Sequence, residues 1–218
     1  VEIGKIAFKA TNVDIIVVPF VVFLIGYFTA KLIGIPIQNL MSGLGNLINW
    51  STQQQPFIMS ILVATIMGLA LTAPISSAAI AFMLGLEGLA AGAAVIGCSA
   101  QMIGFATASY KENRLGGLIA QGLGTSMLQI GNIVKNPLIL IPPTLAGMLS
   151  APIGVGVFLM TNNPAGAGMG TSGLVGQFMA FETMGFSLKI LALVLVFHII
   201  LPASISIFSA KFMRKKNW

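Results

Sequence analysis

The chain has 218 residues, of which 7% are charged and 56% hydrophobic, with a mean hydropathy of +0.97. Globular domains carry about a quarter charged residues, and eleven Lys/Arg with five Asp/Glu are too few to cover a water-facing surface of this length. A soluble enzyme domain is excluded, and lipid is the solvent for most of the chain.

The charges mark wet ends. They bound uncharged runs at 15–30, 32–86, 88–110, 115–134, 136–181 and 190–210, and about 20 apolar residues suffice for a helix to cross the hydrocarbon. The pattern predicts an all-α polytopic membrane bundle forming one transmembrane domain over 1–218. The net charge of +6 comes from bases at the ends of these runs and in the tail, without interleaved aromatics. That placement fits an anionic inner leaflet rather than nucleic acid. The single cysteine, Cys98, lies among Gly97, Ser99 and Ala100 and reads as a small packing residue. With valine at position 1, the chain is expected to begin inside a longer gene product or after processing.

Residues 15–34 read as the first span, with Pro19 near its beginning and Lys31 able to snorkel. After Pro36, Leu40, Leu44, Leu47 and Ile48 recur at helical spacing against Asn39, Ser42, Asn46 and Asn49, which predicts an interfacial helix ending at Trp50. Pro56 suits the first turn of the next helix. Segment 57–86 is expected to break near Ala73, in Thr72-Ala73-Pro74-Ile75, and Glu87 between Gly85 and Gly88 marks a wet turn. Gly88-Leu-Ala-Ala-Gly92 opens segment 88–110 with the small-xxx-small spacing that lets helix backbones touch in lipid.

Lys111-Glu112-Asn113-Arg114 reads as a charged internal loop. Segment 115–134 carries Gln121, Thr125, Ser126, Gln129 and Asn132 among glycines, so it belongs against protein or beside a cavity rather than in lipid. Pro142-Pro143 is expected to break 138–160, and the least lipid-like stretch, 161–177, follows. The last span, 190–209, leads into a basic tail from Lys211 that the positive-inside rule puts in the cytoplasm, with Lys5 and Lys9 on the same side. Five spans do not join two ends on one side. Either one segment is re-entrant or the glycine-rich stretches contribute another crossing.

Two internal echoes stand out. Gln121-Gly-Leu-Gly-Thr-Ser-Met-Leu-Gln129 and Ala167-Gly-Met-Gly-Thr-Ser-Gly-Leu174 share Gly-x-Gly-Thr-Ser-x-Leu, and Ala-Pro-Ile occurs at 73–75 and 151–153. Broken, glycine-rich segments in repeats point to a transporter's substrate site, although the unequal intervals do not fit a simple tandem duplication. Gly168-x-Gly170-x-x-Gly173 matches the dinucleotide fingerprint, but without a strand-to-helix setting it has no such meaning. Its glycines still allow backbone N–H groups to approach a ligand. Asn162, Asn163, Thr171, Ser172, Gln177 and Glu182 supply the donors and acceptors a polyhydroxylated solute needs, with Gln121, Thr125 and Ser126 as candidates opposite. Glu182 is a functional candidate as an acid in apolar sequence or else an interfacial carboxylate near Lys189. His198 either pairs with an embedded acid or is a hydrogen-bonded packing residue. No paired acids, metal-ligand spacing or Ser/His/Asp set appears, so no catalytic residue, metal or cofactor is assigned.

The run Asn162 to Gln177 resembles a signature of the membrane-embedded IIC family of the bacterial phosphotransferase system, in the branch that includes perfringolysin O regulator proteins. Pro74-Ile-Ser-Ser-Ala-Ala-Ile-Ala, Gln121 to Gln129, and Asn136-Pro137 through Pro142-Pro143-Thr144 are similar to the same branch. The resemblance implies a homodimeric sugar permease of the bacterial inner membrane, with re-entrant hairpins around the sugar and alternating access. It also implies a soluble IIB partner carrying phosphocysteine that performs the chemistry. The toxin-regulator branch adds an alternative, a membrane sensor that keeps the transporter fold and moves nothing.

Overall fold

The computed structural model describes residues 14–52 and 54–216; Glu2, Lys5 and Lys9, whose sidedness the sequence suggested, lie outside them. Every element among the described residues is helical, apart from one isolated bridge between Gly88 and Asn162. The chain divides into two compact units, Val1–Asn46 and Leu47–Trp218.

In the first unit the described residues belong to α1 (Asp14–Thr52), whose last turns, from Leu47, fall in the second. The expected division into a span and a separate interfacial helix is corrected here, because α1 runs unbroken through both Pro19 and Pro36. A proline deletes one backbone donor and does not by itself end a helix. Helices in lipid tolerate such a site. Phe20, Phe23, Phe28 and Leu32 are exposed, and the Lys31 ammonium lies 5.6 Å from the centre of the Tyr27 ring.

The second unit is built around α4 (Gly88–Ala108), which follows α2 (Pro56–Thr72) and the short α3 (Ser77–Met83). Pro56 occupies the first turn of α2, and that helix stops at Thr72 before Pro74, as expected. From Ala91 to Ala106 nearly every residue of α4 is buried, and most are Gly, Ala, Ser or Cys. Small side chains let neighbouring backbones approach. A Cβ on Gly97 would sit 2.1 Å from the Ala64 carbonyl oxygen of α2, and one on Gly104 2.6 Å from Pro143 Cβ. Cys98 is buried, with its thiol 3.4 Å from the Met67 carbonyl oxygen, a packing role. Large apolar side chains lie outside instead, among them Phe57, Phe82, Leu149, Phe158, Leu188 and Phe208. Without a hydrophobic drive between helices, small residues inside and large ones facing lipid are the expected arrangement.

Beyond α4 come α5 (Tyr110–Ile119), a π-helical turn (Ala120–Gly124), a 3-10 turn (Ser126–Gln129) and α6 (Ile130–Lys135). Lys111 to Asn113 are therefore helical rather than a loop, while at Arg114 the backbone leaves helical geometry (φ 52°, ψ −154°) and breaks α5 in two; Glu112 is paired to Arg214 at 3.0 Å. A second correction concerns Pro142-Pro143, which open α7 (Ile141–Gly156) rather than break it. First-turn prolines lose no helix bond, since those N–H groups have no partner in any case. After α8 (Pro164–Ala167) and α9 (Val175–Met184), a continuous helix runs from Leu188 to Lys215 as α10 (Leu188–Val194), a π-helical turn (Leu195–Ile200) and α11 (Leu201–Lys215). Pro202 explains the π turn: it cannot donate to the His198 carbonyl four residues back, and its ring pushes that carbonyl away. Among the described residues three helices are long and apolar enough to cross a membrane, Gly88–Ala108, Pro137–Gly156 and Leu188–Lys215.

Candidate functional site

Residues 161–184 form a helical hairpin. At its open end the Thr183 hydroxyl donates to the Thr161 carbonyl at 3.3 Å, and Asn163 Nδ2 donates to Glu182 Oε2 at 3.0 Å. Asn163 also caps α8, its side chain accepting from Gly166 N at 3.0 Å, just before a first-turn Pro164. Across the hairpin, Asn162 Nδ2 donates to the Gly176 carbonyl at 2.9 Å.

α4 serves as the rail along which this hairpin lies. Near the start of α4, Asn162 N donates to the Gly88 carbonyl at 3.2 Å, and Gly92 lies so close that a Cβ would fall 2.0 Å from the Met160 carbonyl oxygen. Halfway along α4, Gly170 takes φ +54° at a point where a Cβ would meet the Cys98 carbonyl carbon at 2.7 Å and Ser99 N at 2.8 Å. From Gly88 to Cys98 a helix rises roughly 15 Å, about half the hydrocarbon thickness. The hairpin tip therefore lies beside the middle of a membrane-length helix.

The segment containing the other glycine-rich motif starts from the opposite end of α4. Gln121 Nε2 donates to Ser109 Oγ at 3.1 Å, and Gln129 Nε2 to Gln121 Oε1 at 2.8 Å. Gly122 packs against Ile103 and Ala106, and the Ser126 and Thr72 hydroxyls are 2.9 Å apart. Thr72 continues to Gln101 Oε1 at 3.4 Å, while Gln101 Nε2 donates to Thr144 Oγ1 at 2.9 Å. The two motifs meet where the Thr171 hydroxyl donates to the Gly122 carbonyl, with Met102 alongside.

Next to that junction lies a cleft of about 180 Å³ lined by Ser76, Ser77, Met102, Thr125, Gly168 and Ser172, among others. Thr125 and Ser172 are half-buried, and Ser77 is occupied in donating to the Gly168 carbonyl at 2.6 Å. The lining holds no ionisable group, so it suits a small neutral solute with hydroxyls.

The sequence-predicted residues thus separate into groups. Thr125, Gly168 and Ser172 line the cleft. Gly170, Thr171 and Ser126 stand behind it and fix its walls. Asn162 and Gln177 are buried in the hairpin's packing, Asn163 and Glu182 form its rim, and Gln121 lies towards the far end of α4. His198 turns out to be a buried packing partner: its Nδ1 is 3.0 Å from Gln177 Nε2, which also reaches Ser99 Oγ at 3.4 Å. Gln177 Oε1 and His198 Nε2 have no hydrogen-bond partner among the described residues. Ser76 and Ser77 lie in the Pro74-Ile-Ser-Ser run that carries the family resemblance but were not singled out as site residues, and Met102 has no sequence signal. Among the described residues no group of His, Cys, Asp and Glu is placed to hold a metal.

A family model described as phosphotransferase system, EIIC matches residues 1–218. No curated protein and no solved structure matches the chain.

Proposed function

Because the chain belongs to the phosphotransferase system EIIC family, and so is a membrane-embedded sugar permease subunit, we propose that a sugar binds in the cleft between Ser76–Ser77, Thr125 and Gly168–Ser172. The observation that carries this reading is the meeting of two irregular, glycine-rich segments beside the middle of α4. At that depth an unpaired backbone group costs several kcal/mol unless it is buried in protein or faces a hydrated hollow. The Thr125 and Ser172 hydroxyls pair with sugar hydroxyls there, while Met102 supplies an apolar face. Asn163 and Glu182 form a polar rim that the solute meets on its way in, and Asn162, Gly170, Thr171, Gln177, Gln121 and Ser126 hold the walls.

In this reading both segments are re-entrant, one from each end of α4, and they act as opposed gates. Alternating access follows if either segment rocks about the shared Thr171–Gly122 contact. Phosphorylation belongs to a soluble IIB partner, and this chain contributes position and access. The tail from Lys211 faces the cytoplasm of a bacterial cell whose inner membrane holds the protein as a homodimer, and IIB meets it on that side.

Calorimetric titration of a sugar panel into protein in nanodiscs tests the site. Ser172→Ala and Thr125→Val each remove one hydrogen bond to the sugar, worth about 1 kcal/mol or roughly fivefold in affinity; Ser172→Ala leaves thermal stability unchanged, whereas Thr125→Val also loses the cap on Met127 N and about 1 kcal/mol of stability. Wild-type affinity in both variants would sink the assignment. Proteoliposome uptake with and without IIB tests translocation. Retained binding with no flux identifies a sensor instead.

A further inference from the structure

A second cleft, of about 230 Å³, lies at the α5 end of α4, away from the glycine-rich junction. It is lined by Tyr110, Lys111 and Leu118 on α5 and by Ile207, Lys211 and Arg214 on α11, among others. Ile207, Lys211 and Arg214 follow one another at helical spacing, so they form a single stripe. Arg214 is already committed, donating to the Ala108 carbonyl at 2.8 Å and pairing with Glu112 at 3.0 Å. Lys111 and Lys211 have no ion pair or hydrogen bond among the described residues. Two elements therefore bring one unpaired lysine each to the edge of one mostly apolar hollow, with a fixed guanidinium beside them.

The surroundings decide what fits. Leu118 and Ile207 give the hollow apolar walls, and on the neighbouring outer faces Leu115 is 60% exposed, Phe208 75% and Phe212 54%. Such large exposed side chains on a membrane helix face hydrocarbon, whereas Lys215 and Lys216 just beyond mark water. The hollow therefore lies at the boundary between acyl chains and headgroups. Free phosphate would use the ammoniums and leave the apolar walls bare; a molecule with an anionic head and an apolar tail uses both.

We propose that this cleft is a binding site for an anionic phospholipid, its phosphate held by Lys111 and Lys211 with Arg214 as the fixed edge, and its first acyl carbons against Leu118 and Ile207. The site sets the depth of the α5 and α11 ends in the bilayer. Each lysine near an anionic headgroup contributes about fivefold to affinity, so losing both costs roughly 25-fold.

Native mass spectrometry of the full chain in detergent, titrated with phosphatidylglycerol or phosphatidylcholine, tests it. Wild type is expected to retain phosphatidylglycerol preferentially, K111Q/K211Q to lose that preference, and K111R/K211R and the distant K135Q to keep it. The single variants K111Q and K211Q each show part of the loss and serve if the double variant does not fold. The proposal is overturned if phosphatidylcholine is retained equally, if K111Q/K211Q behaves as wild type, or if K135Q loses as much. Complete displacement of phosphatidylglycerol by millimolar inorganic phosphate overturns it too, in favour of a free-anion site. A double variant that keeps its lipid preference but loses IIB-dependent phosphorylation marks a protein-docking face and equally refutes the lipid assignment.

Discussion

Gly170→Ala is the sharpest probe of the hairpin's position. The residue takes φ +54°, which costs an L-residue about 1–2 kcal/mol. Its new methyl would also lie 2.7 Å from the Cys98 carbonyl carbon and 2.8 Å from Ser99 N. Those are backbone atoms inside the most buried helix and cannot swing aside, so the overlap adds about 1–3 kcal/mol. The expected loss is about 2–5 kcal/mol, or roughly 10 °C in thermal unfolding for a domain of this size. Gly124 occupies the matching place in the sister motif, yet a Cβ there meets nothing within 4 Å and its φ is not positive. Gly124→Ala should therefore stay within about 0.5 kcal/mol of wild type. Thermal unfolding of both variants in one detergent, followed by tryptophan fluorescence, makes the comparison; sugar titration should also show weakened binding in Gly170→Ala, because a displaced tip moves Gly168 and Ser172. Equal effects of the two substitutions, or an unchanged Gly170→Ala, would mean that the tip is not lodged against α4.

Gln177→Leu should cost about 1–3 kcal/mol, because it leaves His198 Nδ1 unpaired in a buried site; the double variant Gln177→Leu/His198→Leu should cost less than the two singles added together, and a double-mutant cycle in unfolding free energy with no coupling would refute the pairing. Gly97→Ala should destabilise by about 1–3 kcal/mol, since the added carbon lies 2.1 Å from the Ala64 carbonyl oxygen and must part α2 from α4. Gly26→Ala, in the interior of α1 with nothing within 4 Å, should be neutral or gain up to about 1 kcal/mol by propensity; denaturation midpoints of the two variants give the contrast.

Proline shows how far the sequence could be read. Pro56 and Pro74 announce a helix start and a helix stop, and both are found where they were expected. Pro36 and Pro142-Pro143 carry the same chemistry but lie, respectively, inside a helix and in its first turn. What separates these cases is where the preceding helix begins, and that is set by tertiary packing rather than by the proline. Polar candidates have a similar ambiguity. Asn162 and Asn163 are adjacent and chemically identical, yet one is buried against the Gly176 carbonyl and the other stands at the rim with Glu182. Residue type was legible, whereas the face each side chain presents depends on a hairpin that no periodicity encodes. Ser76 and Ser77 were missed for a related reason: Ser76 accepts from Ala79 N as an ordinary helix cap, so its place on the cleft leaves no separate trace.

The two Gly-x-Gly-Thr-Ser runs meet in space although their intervals rule out simple tandem duplication, and their side chains explain how. In the second run the threonine is structural, Thr171 donating to the Gly122 carbonyl, while Ser172 reaches the cleft. In the first run the roles are exchanged: Ser126 is buried against Thr72, and Thr125 reaches the cleft while capping Met127 N. An exact symmetry would put the same residue type in the same role on both sides. What the runs share is instead what irregular backbone needs at bilayer depth, namely glycines that permit close approach and a hydroxyl for a carbonyl that no helix satisfies. A motif explained by backbone needs cannot also specify which sugar binds. At the proposed site that discrimination comes from residues outside the shared run, which on this cleft include Leu71, Ile75, Ser76, Ser77, Ala78 and Met102.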